Sequence, residues 1–165
     1  MADNVYRIYN GPAPTTTVEA YVLTGTAIKT MLQIKAPSAF KIVGWGYKLA
    51  TVPVAAVAVE LLTTATINAT VTASAAADVI KWGDAGGAAA DVTLATSGTG
   101  YTSTGEGSIA ATRILDVGDD WATSYRTQFP LGRGPGVAAL DICRVRALTT
   151  ATINMICWID FEQTR

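Results

Sequence analysis

Polar and apolar residues alternate along most of this chain. Ile28, Thr30, Leu32 and Ile34 interleave with Lys29, Met31, Gln33 and Lys35. A period of two is the signature of a strand with two different faces. Pro37-Ser38 then turns the chain, and a second strand is expected over 40–49, with Val43, Trp45, Tyr47 and Leu49 on one face and Gly44 and Gly46 on the other. Glycines inside a strand predict a bulge or close approach by another part of the molecule. A third strand over 55–62 places Val57, Val59 and Leu61 opposite Glu60.

The Thr/Ala-rich stretch 63–77 reads as a strand, although its Ala run would also tolerate a helical turn. Residues 83–90 and 97–100 read as breaks, 106–115 as a strand, 116–120 as a turn and 121–129 as a strand ended by Pro130. Gly132-Arg133-Gly134-Pro135-Gly136 is loop by composition. The clearest pair of segments is 140–148 and 153–161, separated by Thr149-Thr150-Ala151-Thr152. A hairpin centred on Thr150 sets Cys143 opposite Cys157 and Val145 opposite Met155. One face is then almost wholly apolar, and the other carries Arg144, Arg146, Asn154, Trp158 and Asp160.

No segment has a convincing helical period. Eight or nine short strands with regular turn signals predict an all-β fold, an antiparallel β-sandwich that is jelly-roll-like. Residues 1–16 differ from the rest of the chain. Two prolines, Pro12 and Pro14, favour extended backbone, while Tyr6, Arg7, Ile8 and Tyr9 are too apolar for a solvated tail. The expected organisation is an extended N-terminal arm over 1–16 and a sandwich domain over 17–165. The arm docks either on its own domain or on a neighbouring subunit.

Composition narrows the chemistry. The 165 residues include 28 Ala and 24 Thr, 12 Lys+Arg against 13 Asp+Glu, two Cys and no His. Without His there is no Ser-His or Cys-His dyad, no His-bearing zinc site and no imidazole switch. A net charge of −1 marks the chain for neither nucleic acid nor an anionic membrane. The longest apolar run, 52–59, is too short to span a bilayer as a helix. The N-terminus lacks the basic stretch and apolar run of a secretory signal, so the two Cys are expected as packed free thiols in preference to a disulfide or a metal site.

Asp116, Asp119 and Asp120 are weighed as calcium ligands and as turn residues, with the turn favoured because no EF-hand spacing is present. Trp45, Trp82, Trp121 and Trp158 are weighed as a sugar-stacking platform and as core or interface anchors, again favouring the second. The Gly-rich stretch 98–107 lacks the Lys-Ser/Thr of a phosphate loop, and no carboxylate pair stands out for hydrolysis. No catalytic, metal-binding or cofactor-binding residues are expected. Residues that favour partner contact are Tyr6, Arg7 and Tyr9 on the arm, Arg133 at a loop tip, and Arg144, Arg146 and Trp158 on the face turned from the core.

Several segments, taken in order, carry a resemblance. They are Val43-Gly44-Trp45-Gly46-Tyr47; Val57-Ala58-Val59-Glu60-Leu61-Leu62; Gly98-Thr99-Gly100-Tyr101, with Glu106-Gly107 and Ile109-Ala110-Ala111-Thr112-Arg113; Phe129-Pro130-Leu131-Gly132-Arg133; Cys143-Arg144-Val145-Arg146-Ala147; and Trp158-Ile159-Asp160-Phe161-Glu162. Together they resemble the capsid decoration (cement or minor capsid) proteins of tailed bacteriophages, especially those of actinobacteria. The resemblance implies a β-sandwich that assembles as a homotrimer on the outer surface of the virion. There it would bridge copies of the major capsid protein against internal DNA pressure, after assembly in the bacterial host cytoplasm.

Overall fold

A computed structural model describes residues 4–64, 69–82, 89–99, 113–130 and 132–163. In chain order its strands are β1 (Val5–Tyr9), β2 (Val22–Leu23), β3 (Lys29–Lys35), β4 (Phe40–Leu49), β5 (Val57–Thr63), β6 (Thr72–Ala73) and β7 (Val79–Trp82). They continue as β8 (Gly98–Thr99), β9 (Arg113–Val117), β10 (Ser124–Gln128), β11 (Gly136–Val137), β12 (Ile142–Thr149) and β13 (Asn154–Glu162). Short 3-10 turns occupy Ala76–Asp78 and Leu94–Thr96. No helix among the described residues is long and apolar enough to cross a membrane.

The strands form two antiparallel sheets packed against each other, a β-sandwich. The seven-stranded sheet runs β10-β4-β13-β1-β7, with β11 beside β4 and β2 beside β13. The six-stranded sheet runs β6-β8-β3-β12-β5-β9. Successive long strands alternate between sheets: β3 lies in the six-stranded sheet, β4 in the other, and β5 back in the first. This alternation is that of a jelly roll.

The core is the space between the sheets. Ile8, Trp45, Tyr47, Ile159 and Phe161 enter it from one side, and Leu32, Ile34, Val59, Leu61 and Val145 from the other, all fully buried. Each such side chain contributes roughly 1.5–3 kcal/mol by leaving water. The alternation in β5 is thus a direct record of which residues meet the opposite sheet, while in β4 a bulge against β13 skips Val43, so that Phe40 and Ile42, not the expected Val43, join Trp45, Tyr47 and Leu49 in the core.

The glycines of β4 mark a close approach. A Cβ at Gly46 would stand 2.5 Å from the Trp158 ring, and one at Gly44 would stand 2.8 Å from the Thr127 carbonyl oxygen. Gly46 is paired with Trp158 across the β4–β13 ladder, so the absence of a side chain lets the indole lie down over the neighbouring strand.

Two expectations are corrected. The segments on either side of Thr150 do not form a hairpin. β12 pairs with β3 and β5 in one sheet, while β13 pairs with β4 and β1 in the other. The connection therefore arches across the end of the sandwich. It is stiffened by Thr149, whose hydroxyl donates to the Ala151 carbonyl at 2.7 Å and accepts from the Ala151 amide at 3.2 Å. A hairpin and an arch present the same residues to the core, so alternation places Cys143 and Cys157 correctly inside while leaving their pairing undetermined. Both are free, buried thiols. Burial pushes Cys143 up to about 12, and Cys157 is pushed up by the same cause.

The second correction concerns residues 1–16. Val5–Tyr9 is an inner strand of the seven-stranded sheet, with β13 on one side and β7 on the other. Asn10 fastens its end: its backbone amide donates to Cys157 O at 3.0 Å, and its side chain donates to Met155 O and accepts from Cys157 N, each at 3.0 Å. Of the two docking modes, the intramolecular one is realised for this segment. The reason is the alternation of Tyr6 and Ile8, both buried, with Arg7 and Tyr9, which are not.

Elsewhere, β4 matches the expected bounds, and Asp116 lies within β9, which runs on to Val117, instead of opening a turn. Within 63–77 the end of β5 at Thr63, β6 and the start of the 3-10 turn over 76–78 are regular among the described residues. The expected strand over 106–115 lies outside the described residues up to 112, as do most of the expected loop 83–90 and the end of the 97–100 break.

Candidate partner interface

The seven residues expected at an interface separate into four places. Tyr6 points into the core, where its ring stacks on Phe161 at 5.5 Å between centroids. Arg133 is exposed in the loop between β10 and β11. Arg144 and Arg146 stand on the outer face of the six-stranded sheet, and Arg7, Tyr9 and Trp158 come together on the outer face of the seven-stranded sheet.

Register explains that last cluster. Arg7 is paired with Asp160 on β13 and with Ile80 on β7, and Tyr9 with Trp158. Trp82, two residues beyond Ile80, reaches Arg7 diagonally. Arg7 grips Asp160 with two parallel bonds, Nε to Oδ1 at 2.6 Å and Nη2 to Oδ2 at 2.7 Å, and its Nη1 donates to the Tyr9 hydroxyl at 3.2 Å. Its guanidinium carbon lies 4.2 Å from the centre of the Trp82 ring, 5.4 Å from that of Trp158 and 5.7 Å from that of Tyr9. The geometry combines a forked carboxylate contact with stacking, which Arg alone among the basic residues supplies.

Burial works against the charge on Arg7, but its bonds to Asp160 and Tyr9 outweigh that and raise its pKa above the usual value. The cation is locked, its carboxylate is spent on it, and the neighbouring β7 side chains left exposed are apolar. Trp82 is 42% and Ile80 37% exposed. Arg126 and Gln128 of β10 extend this open face at its other side. An ordered aromatic–arginine surface is suited to holding another molecule at little entropic cost.

Around Arg144 the opposite outer face is covered, whereas Ile114 and Val117 of β9 stand exposed on it. Arg144 is fully buried, with Nη1 3.5 Å from Thr30 Oγ1. Beside it, Gln33 is buried under the covering segments: its Nε2 donates to Thr96 O at 2.6 Å and its Oε1 accepts from Ala69 N at 3.0 Å. Arg146 is paired across strands with Glu60, Nε to Oε1 at 2.9 Å.

The four tryptophans split in the same way. Trp45 is core, with Nε1 donating to Asp116 Oδ2 at 2.8 Å, and Tyr125 donates to the same oxygen at 3.1 Å. Asp116 thus caps an aromatic stack of Trp45, Tyr47 and Tyr125. The Tyr47 hydroxyl donates to Asp119 O at 2.7 Å. Burial, followed by the charges of Asp119 and Asp120, pushes Tyr47 up to about 12. Trp121 is exposed, whereas Trp82 and Trp158 share the Arg7 cluster.

Ile80 and Trp82 do not stand out in the sequence as parts of one face, because β7 falls between two segments assigned otherwise. Its four residues, Val79-Ile80-Lys81-Trp82, do carry the β-branched and aromatic character of a strand. No protein-family model, no curated protein and no solved structure matches the chain.

Proposed function

We propose that this chain is a structural virion protein that decorates and stabilises a tailed-phage capsid by bridging major capsid protein subunits, working as a homotrimer. The observation that supports this reading best is the outer face of the seven-stranded sheet. Arg7 is clamped by Asp160 and stacked on Trp82, leaving a rigid aromatic surface with Trp82 and Ile80 exposed. Such a surface binds through buried area and needs no reactive group. The resemblance of the ordered segments to decoration proteins supplies the identity of the partner. Three-fold assembly would multiply contacts that are individually weak.

The test is reconstitution. Particles of the encoding phage that lack this chain are mixed with the purified protein and sedimented through sucrose. Saturable recovery in the pellet, in a fixed ratio to capsid protein and with density at three-fold positions in an image reconstruction, is the expected result. Protein that stays wholly in the supernatant would overturn the proposal.

The same cluster favours one other reading, a binding module for a carbohydrate. Tyr9, Trp82 and Trp158 offer ring faces next to a charged pair, a combination that stacks sugars. Glycan-array binding without capsid binding would select it.

A further inference from the structure

Lys81 sits on β7, opposite Tyr6 in the β1–β7 pairing and so on the side of the sheet that faces the core. Its Nζ is buried and has no hydrogen-bond partner among the described residues. It borders a cavity of about 240 Å³ whose other walls include Tyr6, Val79, Ala90, Val92 and Leu94. A buried ammonium without an acceptor is costly. The cavity therefore lacks an anion for Lys81, and Val79, Val92 and Leu94 give it a largely apolar lining beside the ammonium.

We propose that this cavity binds a small monocarboxylate with a short hydrocarbon chain. The carboxylate accepts from Lys81 Nζ, and the chain lies against Val79, Val92 and Leu94. Counting about 30 Å³ for each water-sized group, the space takes roughly eight non-hydrogen atoms, the size of hexanoate. The site is independent of the Arg7 surface, because Lys81 and Arg7 point to opposite faces of their sheet.

Calorimetric titration of the full chain with sodium hexanoate tests this, with 1-hexanol as the uncharged control. The wild type should bind hexanoate, and Lys81→Met, which keeps the aliphatic stem, should weaken hexanoate at least tenfold while leaving hexanol unchanged. Lys81→Arg should keep most of the affinity. Ala90→Phe fills the cavity without touching the ammonium and should abolish binding of both probes, so the proposal stays testable even if Lys81→Met does not fold. Absence of hexanoate binding to the wild type, or equal affinity in Lys81→Met, would overturn it. So would a Lys81→Met protein that self-associates while hexanoate leaves the wild type unaffected, which would assign Lys81 to guarding the edge of β7.

Discussion

Arg7 and Arg144 occupy equivalent positions on opposite sides of the sandwich. Each stands on an inner strand and points away from the core. Arg7 lies on an open face among half-exposed rings, bound to Asp160. Arg144 lies beside the covered Gln33 on the six-stranded sheet, with no exposure at all. Alternation along a strand says which side a residue takes. Whether that side meets water depends on what the rest of the chain lays over it, and the period of two is silent about that. The two surroundings consequently differ: the side chains around Arg144 are enclosed, and those around Arg7 are half-exposed.

The strongest challenge to this contrast is to remove the strand that carries the open face. Deletion of residues 2–9 takes β1 from between β13 and β7, and the protein should lose its folded far-ultraviolet circular dichroism altogether. A folded deletion mutant would mean that the seven-stranded sheet can close without its inner strand. Next in size, Arg144→Ala should cost about 3 kcal/mol in urea unfolding, since it empties a fully buried site. Arg7→Ala should cost only about 1–2 kcal/mol, the worth of a partly buried charge-assisted pair. Equal losses would erase the distinction between the faces.

The interior between the faces makes its own prediction. Cys143 and Tyr47 have ordinary values of 9.0 and 10.0, and both are held at about 12 in the fold. Each group is neutral in the folded state over a range where the unfolded chain ionises. Their contribution is complete below pH 9 and is lost as pH rises toward 12, which for Tyr47 is on the order of 2 kcal/mol. Unfolding midpoints measured from pH 8 to 12 should fall over this window, and Tyr47→Phe should flatten the decline. The smallest effect on stability belongs to Trp82→Ala, within about 0.5 kcal/mol for a half-exposed side chain on an edge strand. That same change should sharply reduce sedimentation with capsids. A Trp82→Ala protein that binds normally would move the interface elsewhere.

Much of this architecture is legible in the residues. The alternation of Trp45, Tyr47 and Leu49 gives the core face of β4, and Gly44 and Gly46 announce the close approach that the strand pairing and Trp158 impose. Partner strands are not legible in the same way. Cys143 and Cys157 face the interior whether their strands lie side by side or across the core, so nothing local separates a hairpin from an arch. The cover over Gln33, the cross-strand neighbour of Arg144, is hidden for a related reason, because it comes from Ala69 and Thr96, which are distant in the chain. Of the interface cluster, Arg7, Tyr9 and Trp158 stand out by residue type. Trp82 joins them only through the pairing of β1 with β7.

The pairing of β1 with β13 has a consequence for synthesis. β1 is zipped to β13, with the other described strands between them in the chain, and the Gln163 amide donates to the Asn4 carbonyl at 3.1 Å. A ribosome must therefore translate through β13 before β1 and β4 can be joined in the larger sheet, leaving Tyr6 and Ile8 to wait unsheltered in the nascent polypeptide.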